Sequence, residues 1–340
     1  MRHDVDRAHP ANNVNNVNGA HDPDDADKVA GLRAGTEVGD VTDAALAAWP
    51  LPQHSVLDDK EQRGRVLVIA GSIDVPGAAI LAGIAALHAG AGKLVVATPQ
   101  AVAVPIATQL LEARVLGLDF TADAGLAGAS RDALQEAVEQ ATVVVIGPGM
   151  HGDQARACMD VALRGPASTR MVVDAAALDT LRPALQAQRA DGHADPPPRL
   201  LTPHAGEAAA LLGMPRDEVV ADPLRAARQL SARHGAWVAL KGPTTVIVAP
   251  DGATAWRHVA ECAGLGTSGS GDVLAGLIGG LAARGAGLDQ AAVWGVALHA
   301  RAGHRLTAGG AALGFLAREL SAEVPFLMTE MGSPTDHHAD

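Results

Sequence analysis

The sequence predicts an α/β fold, a central and mainly parallel sheet with helices on both faces. Three observations point there. Short runs of β-branched residues recur along the chain, they are apolar throughout rather than alternating, and Ala/Leu-rich stretches of helical length separate them. Continuously apolar strands joined through helices are buried on both faces, which is the habit of parallel sheets.

Taken in order, the strand candidates are Arg65–Ala70, Lys93–Ala97, Thr142–Ile146, Met171–Asp174, Arg199–Thr202, Trp237–Lys241 and Thr244–Ala249. Helices fit residues 78–91, 131–139, 154–164, 175–181, 206–212, 223–234, 271–284 and 289–306. The segment before residue 40 is rich in Asp, Asn, Gly and His and has no apolar period, so a disordered tail is expected over 1–40. The Pro-rich patch from Gln186 to Arg199 reads as a surface loop, and residues 326–340 are expected to be a C-terminal tail beyond a single 41–325 domain.

Composition narrows the function. Of 340 residues, 48% are apolar but only 2% aromatic, with no Tyr, so the core must be built from Ala, Val, Leu and Gly. The net charge of −12 disfavours a nucleic-acid or anionic-membrane surface. A small anionic ligand needs only a local cradle of donors and is still compatible with that charge. Cys158 and Cys262 are too few for a disulfide framework and lack metal-site spacing, which fits a reducing cytoplasm. Cys158, between Ala157 and Met159, reads as structural. The N-terminus has no apolar core of the signal-peptide kind, and the longest uncharged stretch, Val75 to Gly92, carries Pro76, His88 and four glycines. It reads as a buried loop and helix, and no membrane partner is expected.

In parallel sheets, ligands sit beyond the carboxyl ends of the strands. The chemically unusual residues follow strands directly: Gly71–Gly77, Gly147-Pro-Gly149, Asp174, Thr202-Pro-His-Ala-Gly-Glu207 and Lys241-Gly-Pro-Thr244. Each one alone also fits a plain turn; five at strand ends are hard to explain as punctuation. No Gly-x-Gly-x-x-Gly follows the first strand and no Gly-Lys-Ser/Thr loop occurs, which weighs against a dinucleotide-binding domain of the Rossmann type and a P-loop.

The richest segment is Gly266-Thr-Ser-Gly-Ser-Gly-Asp272, which opens an uncharged helical run to Arg284. Glycines let backbone N–H groups turn inward, and a helix N-terminus adds free donors, so the segment suits phosphate. Asp272 is out of place in a phosphate bowl unless it accepts a proton from a hydroxyl being phosphorylated. The plainer reading is a glycine-rich turn with Ser270 or Asp272 as N-cap. Lys241, with Gly242 and the hydroxyls of Thr244 and Thr245, either meets phosphates or is a lysine snorkelling from a strand end. Glu207 stands where a capping-box acid belongs. His204 lies at a rim where a substrate's hydroxyl or phosphate can be met. Asp174 either holds a water or Mg²⁺ or caps the next helix.

Together these segments resemble the NAD(P)H-hydrate dehydratases of the ribokinase-like superfamily. The matching pieces are Arg63–Gly71, Pro76–Ile80, Ala89–Gly92, Ile146–Gly149, Val173-Asp174, Leu201–His204 with Gly206-Glu207, Leu240–Gly242 with Thr244, and Gly269–Gly276. They run in the family's order from about residue 40 to 320. The Gly-x-Gly-Asp piece marks the superfamily; the Pro-Gly-Ala-Ala, Gly-Pro-Gly and Thr-Pro-His pieces narrow it. The resemblance implies a ribokinase-like fold and repair of the hydrated, 6-hydroxylated form of NADH or NADPH, with ADP as phosphoryl donor and Mg²⁺ as cofactor. It implies Asp272 as base and substrate contact, with Ala79, Gly149 and His204 on the hydrated nucleotide. Gly269 and Gly271 would bind phosphate, and Lys241, Gly242, Pro243, Thr244 and Thr245 would line the nucleotide site, with no dedicated metal ligand. A cytoplasmic homo-oligomer is expected, served by a separate epimerase, because residues 1–40 are too short and polar for an epimerase domain.

Two departures from the family pattern stand out. Glu261-Cys262 replaces a common Gly-Asn, and Asp174-Ala-Ala-Ala-Leu178 replaces Asp-Ala-Asp-Ala-Leu. The alternatives are a vitamin-precursor kinase on the same scaffold, which shares the Gly-Ser-Gly-Asp base, and a catalytically silent nucleotide-binding protein, against which the intact Asp272 argues.

Overall fold

The computed structural model describes residues 38–55, 59–190, 196–308 and 312–332. Among them, ten strands form one sheet: β1 (Val38–Asp40), β2 (Arg65–Ile69), β3 (Lys93–Pro99), β4 (Ala113–Leu118), β5 (Val143–Ile146), β6 (Arg170–Val173), β7 (Arg199–Leu201), β8 (Trp237–Leu240), β9 (Thr244–Val248) and β10 (Ala255–Val259). Their order across the sheet is β1-β10-β9-β8-β7-β6-β5-β2-β3-β4. Pairing is parallel except where β9 runs antiparallel to both β8 and β10. The α/β architecture expected from the sequence is therefore present.

Side chains of β2 alternate between two cores. Val66 and Val68 join one apolar layer, and Leu67 and Ile69 the other, all at 0% exposure. That two-sided burial is why these strands are apolar at every position. The first layer holds helices Gly77–His88, Ser270–Ala283, Leu288–Thr307 and Ala317–Gly332; the second holds Gly128–Glu139, Gly152–Ala162, Ala176–Ala190, Ala205–Leu212 and Pro223–His234. Small residues fix the spacing within the first layer. A Cβ on Gly276 or Gly280 would lie 2.2 Å from the carbonyl oxygens of Ala82 and Ala86, so the two helices meet backbone to backbone. This is how a core poor in aromatics reaches close packing.

Several expectations need correction. β1 pairs in parallel with β10, so Val38–Asp40 is sheet and not tail; residues 1–37 lie outside the described residues. The helix Ala317–Gly332 crosses the boundary expected at residue 325. Pro325 lies inside this helix, and Leu327 beyond it is buried in the core, which carries the helix on. The patch beginning at Gln186 continues the Ala176–Ala190 helix before residues 191–195, which lie outside the described residues. Strands β4 and β10 and the helices Asp43–Ala47, Gln100–Ala107 and Arg216–Ala221 are additional to the elements read from the sequence. Two of these short helices hold internal or flanking prolines, and both strands carry a charged or glycine residue that breaks the apolar run.

Among the described residues no helix is long and apolar enough to cross a membrane.

Candidate active site

The strand order reverses between β5 and β2, and the loops that leave these two strands meet there. The N–H of Gly71 donates to the Pro148 carbonyl at 2.8 Å. Gly149 takes φ +63°, and a Cβ there would lie 2.5 Å from the Ala78 Cβ and 2.8 Å from the Val75 carbonyl oxygen. Only glycine lets the two loops close to this distance. A crevice at a reversal of strand order, beyond carboxyl ends, is where open α/β sheets bind ligands. At its mouth, His151 Nε2 stands 3.0 Å from Asp74 Oδ2 and ties the two loops together on the outside.

The next strand ends supply charge. Asp174 follows β6 and is 2% exposed. Its Oδ1 accepts from Thr202 Oγ1 at 2.7 Å, after β7, and from Lys241 Nζ at 2.7 Å, after β8. Three consecutive rim positions are thereby bonded into one unit. The Lys241 N–H also donates to the Pro203 carbonyl at 2.8 Å. Lys241 points into the rim and is not a snorkelling side chain. Burial alone would lower its ammonium, but the Asp174 carboxylate, with Glu207 and Asp272 nearby, raises it instead. Ala175 sits at φ +46°, an unusual conformation for a residue with a Cβ, immediately after Asp174. Asp174 does not cap the following helix; its carboxylate is committed to Thr202 and Lys241.

The helix Ser270–Ala283 brings the last components. Its N-cap is Gly269, at φ +86°, and no side chain caps it. The plainer reading, with Ser270 or Asp272 as cap, is therefore not what the chain does. Gly271 and Asp272 lie in the first turn, where N–H groups have no partner within the helix. No acceptor for either is found among the described residues. A Cβ on Gly271 would stand 3.3 Å from Lys241 Nζ, which places the ammonium against this helix start. At φ +86° a residue with a side chain is strained at Gly269, and its Cβ would also press on Leu81 Cδ1 at 2.5 Å.

Asp272 is half-buried at the same end. Burial, and after it the nearby Asp174 carboxylate, raises its carboxyl to about 6 from the ordinary 3.8, with Lys241 pulling the other way. A carboxylate poised near neutrality beside unpaired N–H donors and an ammonium is equipped to take a proton from a hydroxyl as an anionic group is transferred to it.

The remaining predicted residues fall around this centre. Gly242 and Pro243 form the exposed turn between β8 and β9, Thr244 opens β9, and buried Thr245 donates from Oγ1 to the Gly242 carbonyl at 3.4 Å. His204 is the N-cap of the Ala205–Leu212 helix. Its Nδ1 accepts from the N–H groups of Gly206 and Glu207 at 2.9 and 3.1 Å, and Glu207 Oε2 accepts from the His204 N–H at 2.7 Å. The capping box read for Glu207 is present. It uses one imidazole nitrogen of His204 and leaves an exposed edge with Nε2 3.6 Å from Glu207 Oε1. Ala79 is at 0% exposure and lies under the first loop, where its Cβ would be 3.4 Å from a Cβ on Gly71. Its methyl packs beneath that loop.

His299 joins the site unannounced by the sequence, through Ser270. The His299 ring nitrogen Nε2 is 2.9 Å from Ser270 Oγ, and only the fold brings these positions together, since 29 residues separate them. The departure at Glu261 also has a structural mark. Glu261 holds φ +44°, a left-handed conformation that a glycine adopts freely and a glutamate does not.

Comparison with known proteins identifies the family. A family profile described as NAD(P)H-hydrate dehydratase matches residues 66–325. The ADP-dependent (S)-NAD(P)H-hydrate dehydratase of Xanthomonas campestris is 44% identical over 297 residues, spanning 87% of this chain and 98% of that protein. A bifunctional NAD(P)H-hydrate repair enzyme of Moorella thermoacetica is 34% identical over 84% of this chain, which spans only 53% of that longer protein. Among solved structures, the ADP/ATP-dependent NAD(P)H-hydrate dehydratase of Bacillus subtilis, co-crystallised with ATP and Mg²⁺, superposes with a TM-score of 0.72 at 29% identity, over 87% of this chain and 99% of that one.

Proposed function

Because the chain belongs to the NAD(P)H-hydrate dehydratase family, we propose that it uses ADP to dehydrate the (S)-form of hydrated NADH or NADPH, with Asp272 as base. One observation carries the assignment of the base: the Asp272 carboxyl, raised to about 6, stands at an uncapped helix start beside Lys241.

Asp272 takes the proton of the C6 hydroxyl as that oxygen bonds to the terminal phosphorus of ADP and the bond to the leaving AMP breaks. The developing charge on the phosphoryl oxygens is met by the N–H groups of Gly271 and Asp272 and by the Lys241 ammonium. The hydroxyl has then become a phosphate ester, a far better leaving group. The ring nitrogen lone pair expels phosphate, and loss of a ring proton restores the reduced nicotinamide. Hydrated NADH and ADP thus give NADH, AMP and phosphate.

Gly149, at the crevice, and His204, farther along the same rim, are the residues we assign to the hydrated nucleotide. His204 approaches it with Nε2, because Nδ1 is held by the helix cap. Gly269 shapes the phosphate cradle, and Gly242, Pro243, Thr244 and Thr245 line the nucleotide side. Among the described residues no group of three His, Cys, Asp or Glu forms a metal cage. That donor set fits a magnesium ion carried in on the nucleotide phosphates and its own waters, with no dedicated protein ligand among the described residues. Bound so, magnesium would offset phosphate charge. The bifunctional relatives are longer proteins, and we assign epimerisation of the other hydrate form to a separate enzyme.

The deciding experiment incubates the protein with hydrated NADH, Mg²⁺ and either ADP or ATP. Absorbance of the reduced nicotinamide is expected to return with ADP, together with equimolar AMP. A phosphorylated product that persists would mark a kinase instead, and no change with either nucleotide would end the dehydratase reading.

A further inference from the structure

The phosphate cradle begins on a helix that lacks an ordinary cap. Gly269 has no side chain to offer, and the N–H of Ser270 makes only a long 3.3 Å bond to the Thr267 carbonyl. A glycine-flanked first turn of this kind frays readily, because each glycine leaves many backbone conformations open. The reaction needs the opposite. The N–H groups of Gly271 and Asp272 and the Asp272 carboxylate must hold their aim to a fraction of an ångström.

A side chain from another element bonds this turn directly. His299, buried on the Leu288–Thr307 helix, places Nε2 2.9 Å from Ser270 Oγ and 3.0 Å from the Ser270 carbonyl oxygen. Both oxygens of a single residue converge on one imidazole nitrogen, one position before Gly271 and two before Asp272. We propose that His299 is the positioning residue of this site: acting through Ser270, it clamps the first turn of the Ser270–Ala283 helix, which holds the phosphate-binding N–H groups and the base in register. The proposal rests on the dehydratase reading given above.

The chemistry of the pair suits that task. Burial lowers the imidazole to about 4, so it is neutral at physiological pH and donates without placing a second cation near Lys241. A buried lysine or arginine there would repel Lys241 and would need its own counter-ion. An aliphatic side chain would fill the volume but leave two buried oxygens without their partner.

Three substitutions separate positioning from packing. His299→Leu removes the donor and keeps much of the volume. His299→Gln carries an amide N–H close to the place of Nε2, whereas His299→Asn falls short of it. Melting temperature, ADP affinity by calorimetry, and kcat and KM for hydrated NADH are measured for each, well below its melting point. His299→Leu is expected to lose about 10- to 100-fold in kcat, the scale set by small misplacements of reacting groups. KM for hydrated NADH should stay within about twofold of wild type, since His299 touches no substrate, and ADP affinity should fall. His299→Gln should recover most of kcat and His299→Asn little of it.

Wild-type kcat and ADP affinity in His299→Leu would overturn the proposal, whatever its melting temperature. If His299→Leu does not fold, equal kcat in His299→Gln and His299→Asn overturns it just as well. Wild-type protein is assayed alongside. Should it fail to turn over hydrated NADH, the dehydratase reading falls, while the ADP affinities of the variants still decide whether His299 holds the cradle.

Discussion

Asp272 and Lys241 show how two ordinary side chains become reactive through their surroundings. A solvated aspartate is too weak a base to take a proton from an alcohol; at about 6, Asp272 is stronger and still ionised at neutral pH. The pH profile of kcat/KM should therefore rise through about pH 6 and level above it. Asp272→Asn should keep ADP binding and lose about 10²–10⁴-fold in kcat, the usual range for removal of a general base. It should also stabilise the protein. Between pH 3.8 and about 6 the folded state holds a proton that the unfolded chain has released, so this stabilising contribution is lost as pH rises through 6. Above that, the buried carboxylate costs at most about 3 kcal/mol, and the amide removes the cost. A higher melting temperature for Asp272→Asn at pH 8, with little difference at pH 4, is expected in calorimetric scans. Equal melting temperatures at pH 8 would mean that the carboxyl is not raised.

At the scale of elements, two helix starts in this site are built on opposite plans. The Ala205–Leu212 helix is fully capped, with His204 and Glu207 each serving the other's backbone. His204→Ala should lower stability by about 0.5–2 kcal/mol for the lost cap. If the exposed Nε2 also meets the hydrated nucleotide, KM for hydrated NADH rises as well while ADP affinity holds. A stability loss with unchanged kinetics would confine His204 to the cap. The Ser270–Ala283 helix is left uncapped by side chains, and its free donors are the binding surface. Gly271→Val would push a branched side chain against Lys241 Nζ, only 3.3 Å from the new Cβ. Calorimetry should show ADP binding weakened by tenfold or more with the fold retained; unchanged affinity would move the phosphate cradle elsewhere.

For the molecule as a whole, the described fold begins where β1 joins the sheet edge. Beyond β1, Trp49 stacks on Trp256 at 5.9 Å, and Trp256 in turn on Trp237 at 5.8 Å. Trp294 Nε1 donates to the Trp49 carbonyl at 2.8 Å. These contacts tie residues 38–50 to the sheet edge and to the Leu288–Thr307 helix that carries His299. Removal of residues 1–37 should leave activity and melting temperature nearly unchanged, since that segment is poor in apolar residues and precedes every site residue. Removal of residues 1–50 should lower the melting temperature sharply and quench the tryptophan signal of the folded state. A large loss already at residue 37 would show that the leading segment packs on the domain or on a second copy.

The sequence by itself determined the α/β class, seven of the strands, and the rim of unusual residues at their ends, because fully buried parallel strands must be apolar and function must follow them. It also displayed Asp272 and its glycines, since a lone carboxylate in a glycine-rich helix start has few structural uses. It misjudged the C-terminal boundary at Pro325, where burial of Leu327 outweighs the missing N–H. Short elements such as β1, at the sheet edge, and β10, next to it, were illegible, because strands that are partly exposed carry no continuous apolar signal. Only the tertiary structure decided the electrostatics. Asp174, Thr202 and Lys241 come from three different strand ends, and their 2.7 Å side-chain bonds exist because neighbouring parallel strands bring those ends to one rim. The same holds for His299 and Ser270, whose meeting depends on how two helices pack. A side chain's type can be read along the chain, but its charge state and its aim are set by neighbours that are distant in sequence.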